Sequence, residues 1–278
     1  MLGSVFSSFL VAALALAPGV VAQNSPGCGK ASKLKNGVNK INVGGTERQF
    51  ILAVPDKNDN AKPKKLMFAF HWRGATMDNV VNDPTNLNKF YGLQAKAAGS
   101  AIFVAPDGLD KGWANDGGRD IRFVEAMIKA IEDDLCVDQA QRFAMGFSYG
   151  GGMSFSVACS LPTMFRAVAA QGAGEVSGCD GPKGAISYLG IQGINDAVLP
   201  LPGAIEIANK IAKANGCQAN KNPETPAKGS KSFKVTNFTG CKKPVRFITF
   251  DGGHDTAPLG VANGLQADSM WDFFTKAA

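Results

Sequence analysis

The pentapeptide Gly146-Phe147-Ser148-Tyr149-Gly150 is the feature of this sequence that most restricts the folds open to it. It follows a short apolar run and precedes a stretch of helical character at 153–159. A Gly-x-Ser-x-Gly step between a strand and a helix forms a strained turn that lifts the serine above a parallel sheet. Glycine is needed on both sides because a side chain there would collide with the neighbouring strand or helix. We therefore predict that Ser148 is an exposed nucleophile at such a turn.

The rest of the chain alternates short apolar runs with amphipathic stretches, as a doubly wound sheet requires. An opening hairpin is predicted at 38–43 and 48–54, and buried parallel strands at 66–71, 102–106, 143–147, 167–171, 186–192 and 245–250. Helical periodicity covers 121–135, 205–212 and 265–274, whereas the polar segment 218–239 is expected to be a loop. These patterns predict a single domain over residues 23–278 with the α/β-hydrolase fold, a mostly parallel sheet with helices on both faces.

The first 22 residues have the features of a secretory signal peptide. Their apolar run, 9–17, is too short to span a bilayer, and Val20-Val21-Ala22 offers a site for signal peptidase. We therefore expect a secreted, extracellular protein that begins near Gln23.

The six cysteines agree with an oxidising compartment, because their number is even and no two form a C-x-x-C pair. Three disulfides are expected, and we predict that Cys217 pairs with Cys241 to close a polar segment. The only N-x-S/T sequon begins at Asn237 within that segment and predicts a glycosylated asparagine.

The charge of the chain restricts its partners. The net charge is +6, and residues 221–243 are locally rich in lysine, either as a solvated surface or as a weak attraction for an acidic polymer. No basic helix or aromatic platform suggests nucleic acid, and no later stretch is long enough for a membrane span.

We expect a monomer without a metal or organic cofactor, since the His, Cys and carboxylate spacing fits no metal site and acyl transfer to water needs none.

A serine nucleophile needs a base, and the chain contains two histidines, His71 and His254. His71 follows the strand 66–70, at the position where this fold builds its oxyanion hole. His254 lies after the last predicted strand, which is where this fold places the base. By elimination His254 is the predicted base.

The third catalytic group is expected to be a carboxylate between Ser148 and His254 in sequence. Asp196 is preferred because it lies on a loop directly after the strand 186–192, from which it can reach the far nitrogen of His254. Glu175 and Asp180 follow the preceding strand and remain alternatives.

Two backbone N–H groups are expected to bind the oxyanion of the tetrahedral intermediate. One belongs to Tyr149, and the other to Trp72 or its neighbour Arg73. Trp113 follows the fourth strand and is a candidate for stacking on a flat substrate ring, although it could equally pack beneath its loop.

Several stretches resemble the fungal secreted feruloyl esterases of types C and D, which belong to carbohydrate esterase family 1 and are similar to extracellular polyhydroxybutyrate depolymerases. They are 25–30 (SPGCGK), 70–74 (FHWRG), 104–115 (VAPDGLDKGWAN), 146–160 (GFSYGGGMSFSVACS), 177–179, 215–217 and 252–254. The resemblance implies a triad of Ser148, Asp196 and His254. It also implies hydroxycinnamoyl esters on the arabinose side chains of plant xylan as substrates.

Without the resemblance, the residues themselves indicate only an acyl-transfer site. An acetyl xylan esterase, a polyester depolymerase and an inactive glycan-binding homologue are therefore the alternatives.

Overall fold

The computed structural model describes residues 23–56, 58–82, 89–255 and 265–277, so the predicted signal peptide lies outside the described residues. The strands are β1 (Gly37–Val43), β2 (Thr46–Ala53), β3 (Lys64–Phe70), β4 (Ala101–Pro106), β5 (Val137–Phe147), β6 (Ala167–Gln171), β7 (Ser187–Gly193), β8 (Phe233–Asn237) and β9 (Val245–Phe250). The helices are α1 (Met77–Asn82), α2 (Leu93–Ala97), α3 (Arg119–Asp134), α4 (Tyr149–Ser160), α5 (Leu201–Ala214) and α6 (Leu265–Asp272), which continues into a π-helical turn, Phe273–Ala277. Short 3-10 turns occupy Leu109–Lys111 and Asp116–Gly118. Within the described part of the chain, no helix has the length and apolar character that a membrane crossing requires.

The described strands form one sheet in the order β1-β2-β4-β3-β5-β6-β7-β9-β8. The six strands from β4 to β9 in this order are parallel, while β1, β2 and β8 pair antiparallel with their neighbours. The carboxyl ends of the six parallel strands therefore meet at one edge of the sheet, which we name the carboxyl edge. The loops that follow β3, β4, β5, β7 and β9 all begin at this edge.

Helices cover both faces of the sheet, in agreement with the prediction. Alternate side chains of β3 point to opposite faces: Leu66, Phe68 and Phe70 pack in the cluster of α3, α4 and α5, and Met67 and Ala69 in that of α1, α2 and α6. Full burial of one such large apolar side chain contributes about 1.5–3 kcal/mol.

Helices α3 and α4 differ in the distribution of their apolar residues, because α3 is buried on one face and α4 is buried on nearly all sides. In α3, Val124, Ile128 and Ile131 recur at helical spacing on the buried face, and the opposite face is polar. In α4 nearly every residue is buried, because the helix lies between the sheet and its neighbours α3 and α5. The absence of a polar face on α4 therefore reflects its central position.

The structure differs from the sequence prediction at β8, which lies inside the segment predicted to be a loop. Strand β8 is the outermost strand beyond β9, and only Thr236 among its five residues is buried. Phe233 and Val235 do alternate with polar residues, but five residues inside a segment rich in Lys, Asn and Ser are too few to indicate a strand. The short helices α1 and α2 were not predicted either, since five or six residues are too few to show helical periodicity.

Three disulfides join Cys28 to Cys136, Cys159 to Cys179 and Cys217 to Cys241. The last is the pair expected from the sequence, and it closes the segment that contains β8. The first fastens the N-terminal segment to the start of β5, and the second fastens the end of α4 to the loop after β6.

Candidate active site

Ser148 stands alone between β5 and α4 in a backbone conformation that few L-residues adopt, with φ 57° and ψ −119°. Its N–H donates to the carbonyl of Gln171 over 2.9 Å, and its own carbonyl accepts the N–H of Gly152 over 2.9 Å. A strained residue persists only where its surroundings hold it, and such residues concentrate at functional sites. The turn is therefore the sharp strand-to-helix turn expected from the sequence.

The glycines on either side of this turn are required by close backbone contacts. A Cβ atom on Gly150 would lie 2.1 Å from the carbonyl oxygen of Phe70 and 2.6 Å from that of His71. A Cβ atom on Gly146 would lie 2.4 Å from the carbonyl carbon of Gly150. These contacts bring the start of α4 against the end of β3, so that the loop after β3 lies beside the serine.

His254 bridges Ser148 and Asp196. Its Nε2 lies 2.8 Å from Oγ of Ser148, and its Nδ1 lies 2.7 Å from Oδ2 of Asp196. A carboxylate can only accept a hydrogen bond, so Nδ1 carries the proton and Nε2 accepts the Ser148 hydroxyl. The imidazole ring is held further by the ring of Phe147, whose centroid is 4.7 Å away.

The carboxylate of Asp196 is buried and fully hydrogen-bonded. Oδ1 accepts the backbone N–H groups of Val198 (2.9 Å) and Leu199 (2.8 Å), and Oδ2 also accepts the side-chain amide of Gln192 (2.8 Å). The solvent-exposed fraction of its side chain is 0%. A buried carboxylate is tolerated when hydrogen bonds and a partner compensate for lost water, and this one has both.

The two alternative carboxylates lie elsewhere. Glu175 forms an ion pair with Lys210, and Asp180 is exposed on the loop after β6. Of the three carboxylates considered from the sequence, Asp196 is the one that the structure brings to His254.

His71 is buried and occupied on both ring nitrogens. Its Nδ1 donates to the carbonyl of Trp72 over 2.8 Å, and its Nε2 accepts the N–H of Gly108 over 3.0 Å. Burial lowers the pKa of His71, although Asp107 and Asp120 oppose that shift. A neutral His71 therefore joins the loop after β3 to the loop after β4. Because both of its ring nitrogens are occupied, it is not available as the base.

The two residues expected to supply the oxyanion hole lie on neighbouring segments. Tyr149 is the first residue of α4, and the N–H groups of a first helical turn have no partner within their helix. Trp72 is half-buried directly after His71, and the bond from His71 fixes the carbonyl of Trp72. Both residues are within the loop cluster at the carboxyl edge.

Of the two positions that the sequence left open for Trp113, the structure shows packing beneath the loop, which corrects its candidacy for stacking on a substrate ring. The exposed fraction of Trp113 is 0%, and its Nε1–H donates to the carbonyl of His71 over 2.8 Å. Its ring lies edge-on to that of Phe70, with centroids 5.2 Å apart. The indole therefore packs beneath the loop after β4, because that position satisfies its N–H and buries its ring.

A cleft of about 610 Å³ opens above Ser148. One wall is apolar and consists of Val176, Val198 and Leu199, and Tyr149 lines the cleft next to the serine. Burial raises the pKa of the Tyr149 phenol, so this group stays protonated and can donate a hydrogen bond. The remaining lining residues lie mainly on the loop after β4 and its surroundings: Arg73, Leu109, Asp110, Lys111, Gly112, Ala114, Asp116 and Arg119.

Sequence reasoning missed Gln192, the last residue but one of β7. Its amide nitrogen bonds Asp196 and the carbonyl of Leu199, and its amide oxygen accepts the N–H of Ala173 over 3.1 Å. A glutamine at the end of an otherwise apolar strand, four residues before the candidate acid, is the signal that could have identified it. No group of three or more His, Cys, Asp or Glu side chains that could hold a metal occurs among the residues described above.

Comparison with known proteins identifies full-length relatives. The chain is 52% identical over 277 residues to feruloyl esterase C from Emericella nidulans, and the match covers 100% of both chains. It is 50% identical, again over 100% of both, to a probable feruloyl esterase C from Aspergillus niger. It is 34% identical to feruloyl esterase D from Neurospora crassa over 99% of this chain and 98% of the relative. No family model matches the sequence.

Solved structures share the fold at low sequence identity. An acetyl xylan esterase from Aspergillus awamori superposes with a TM-score of 0.62 at 16% identity, covering 85% of this chain and 99% of its own. A ferulic acid esterase superposes with a TM-score of 0.57 at 16% identity, covering 87% of this chain and 97% of its own. The predicted α/β-hydrolase fold is confirmed.

Proposed function

This chain belongs to the fungal feruloyl esterases and is a carboxylic ester hydrolase, and from that premise we propose that Ser148, His254 and Asp196 hydrolyse hydroxycinnamoyl esters of plant arabinoxylan. The observation that carries the proposal is the contact of both His254 ring nitrogens, one with Ser148 and one with Asp196. A nucleophile hydrogen-bonded to a base, and a base oriented by a buried acid, is the arrangement that acyl transfer by serine needs.

The proposed reaction begins with proton transfer from Oγ of Ser148 to Nε2 of His254 as Oγ attacks the ester carbonyl carbon. The carbonyl oxygen becomes an oxyanion, and the imidazolium is stabilised by Asp196. When the tetrahedral intermediate collapses, the bond to the arabinose oxygen breaks and that oxygen takes the proton from His254. Water then repeats these steps on the acyl-serine, releasing the hydroxycinnamic acid and regenerating Ser148.

The oxyanion is proposed to bind the N–H of Tyr149 and the N–H of Trp72 or Arg73. The first turn of α4 contributes the positive end of the helix dipole in addition to its N–H group. The bonds of His71 to Trp72 and Gly108 support a rigid loop on the other side. Rigid donors matter because a preorganised site costs no rearrangement when the charge develops.

The lining of the cleft is suited to a substrate with a flat aromatic acyl group. Val176, Val198 and Leu199 give it an apolar wall, and exposed fractions of 38% for Val176 and 64% for Val198 leave apolar surface open to a ligand. Charged groups line other parts of the same cleft and can meet the hydroxyl groups of a sugar. A hydroxycinnamoyl group joined to arabinose has this combination of an apolar and a polar part.

The remaining proposals concern the secreted form. We propose that residues 1–22 are removed on secretion, that the mature chain acts as a monomer, and that Asn237 carries an N-glycan. The exposed position of Asn237 on β8 supports the last proposal, because an exposed asparagine is open to modification.

One substrate panel tests the proposed function. The purified enzyme is assayed on methyl ferulate, 4-nitrophenyl acetate, feruloylated arabinoxylan and acetylated xylan under the same conditions. The proposal expects kcat/KM for methyl ferulate to exceed that for 4-nitrophenyl acetate, together with release of ferulate from the polymer. Faster release of acetate from acetylated xylan than of ferulate from arabinoxylan would instead indicate an acetyl xylan esterase.

A further inference from the structure

The positive charge of this protein is concentrated beside one edge of the sheet. Residues 217–251 contain seven of the 29 Lys and Arg residues and two of the 23 acidic residues, so their net +5 accounts for nearly all of the net +6. Six of the seven cations are exposed lysines: Lys221, Lys228, Lys231, Lys234, Lys242 and Lys243. The ion pairs found among the described residues use none of these six lysines.

Part of this charge lies next to the candidate active site. Strand β8 pairs with β9 so that Phe233 lies opposite Phe250, four residues before His254. The N–H of Lys231 donates to the carboxylate of Asp251 over 2.9 Å, and that residue begins the loop that contains His254. We name Lys228, Lys231, Phe233 and Lys234 the β8 surface. It is continuous with the carboxyl edge on which Ser148 lies.

The β8 surface combines cations with an exposed aromatic side chain. Phe233 is 40% exposed, although it is a large apolar residue on an outer strand. Aromatic rings pack well on the apolar faces of sugar rings, and lysine ammonium groups attract carboxylates. This pairing of chemistry suits a sugar polymer that carries acidic groups.

Protection of the sheet edge does not explain the lysines. A lysine on an edge strand discourages pairing with another chain, and Lys234 alone is placed to do so. The other five lie outside β8, in the loops before and after it. Their charge therefore needs another account.

We propose that the β8 surface binds a uronic-acid-bearing polysaccharide. The carboxylates of the polymer contact Lys228, Lys231 and Lys234. Phe233, whose side chain leaves β8 on the face opposite to that of Lys234, packs against a sugar ring where the polymer crosses the edge of the sheet. The polymer is thereby held beside the cleft, which raises the local concentration of its ester groups. This last consequence rests on the proposed esterase function, whereas the binding itself does not.

Binding is measured on Ser148→Ala protein, so that no ester is cleaved, with polygalacturonate as the acidic probe and neutral arabinoxylan as its control. The combined variant Lys228→Gln, Lys231→Gln, Lys234→Gln should bind polygalacturonate roughly tenfold more weakly, since each exposed charge contact contributes about a factor of two. Binding should also weaken as salt is raised, because salt screens exposed charges. The matched control variant Lys30→Gln, Lys33→Gln, Lys35→Gln removes three exposed lysines before β1 and should bind as the parent does.

The outcomes separate this proposal from its competitors. Equal losses in the two triple variants would overturn it, because they would mean that net charge alone governs binding. Unchanged binding together with aggregation of the β8 variant would overturn it in favour of edge protection. Binding of anionic phospholipid vesicles as tight as that of polygalacturonate would overturn its choice of partner.

A kinetic measurement on the active enzyme tests the consequence. On feruloylated glucuronoarabinoxylan the β8 variant should show a raised KM with unchanged kcat, and on methyl ferulate both constants should stay as in the wild type. A raised KM on methyl ferulate as well would overturn the proposal, because that ester carries no polymer. If neither protein cleaves methyl ferulate, the esterase proposal fails while the binding measurement still decides this one.

Discussion

The side-chain amide of Gln192 donates a hydrogen bond of 2.8 Å to Oδ2 of Asp196. The same oxygen accepts the Nδ1–H of His254 over 2.7 Å. Because Oδ1 is occupied by two backbone N–H groups, the carboxylate has no freedom to rotate away from His254. The orientation of the candidate base thus depends on a glutamine that contacts neither Ser148 nor His254 in the bonds described.

Replacing Asp196 by Asn should lower kcat on methyl ferulate by about 10³–10⁴-fold, because an amide no longer fixes the tautomer of His254 or stabilises its charged form. Glu175→Gln is the matched control, since Glu175 pairs with Lys210 and should leave kcat close to that of the wild type. The two variants are compared by steady-state kinetics. A larger loss from Glu175→Gln than from Asp196→Asn would transfer the role of acid to the loop after β6.

Replacing His254 by Ala should abolish turnover to a similar degree, because Ser148 loses the group that accepts its proton. His71→Gln should lower kcat far less, since the hydrogen bonds of His71 orient a loop, whereas the hydroxyl of Ser148 is hydrogen-bonded to His254. Rates are measured on proteins whose circular dichroism matches that of the wild type. Full activity of the His254 variant would contradict the assignment of the base.

The lowered pKa of His71 predicts how stability depends on pH. In the folded protein the pKa of His71 lies below its ordinary value of 6.5. Around and below pH 6.5 the unfolded chain therefore binds more protons at this residue than the folded chain does. The contribution of His71 to stability is therefore present above about pH 6.5 and is lost as the pH falls towards the lowered folded pKa.

Thermal melting at a series of pH values measures this dependence. Tm should fall below pH 6.5 in the wild type, and the fall should be shallower in His71→Gln, which has no proton to take up at that position. If Tm changed equally with pH in the two proteins, His71 would have the same pKa in the folded and unfolded states.

The disulfide between Cys217 and Cys241 should stabilise the fold through the unfolded state. Its loop has a sequence separation of 24 residues, and closing a loop of this size contributes about 3 kcal/mol. Cys217→Ala combined with Cys241→Ala should therefore lower Tm. The variant should lose activity on warming, while its activity at low temperature should remain close to that of the wild type. An unchanged Tm would show that the strands around the segment hold it without the disulfide.

The sequence could predict what depends on a few strongly constrained residues. The strand, glycine and helix pattern around Ser148 indicates the turn, and the choice between two histidines indicates His254. Both are found where those arguments expect them, and their catalytic roles remain predictions. All six parallel strands were also predicted, because residues buried on both faces leave continuous apolar runs.

The sequence could not predict what depends on the packing of distant segments. Trp113 is buried because the carbonyl of His71 offers a partner for its indole, and the residues around position 113 could not decide between this position and an exposed one. Strand β8 forms because β9 lies beside it, although four of its five residues are exposed and the segment around it is polar. The support of Asp196 by Gln192 joins residues only four apart, but it depends on how the loop after β7 turns back, and the glutamine near the end of that strand is its one signal in the sequence.

The central claim is that Ser148 is the nucleophile, and the kinetics of Ser148→Ala test it most directly. The hydroxyl lies 2.8 Å from His254, so its removal should lower kcat/KM on methyl ferulate by about 10⁴-fold or more. The fold should stay intact, since Ser148 Oγ is replaced by a smaller group and the backbone bonds of the turn remain. Loss of turnover with an unchanged Tm is the predicted result, and a folded variant that keeps a near wild-type rate would contradict it.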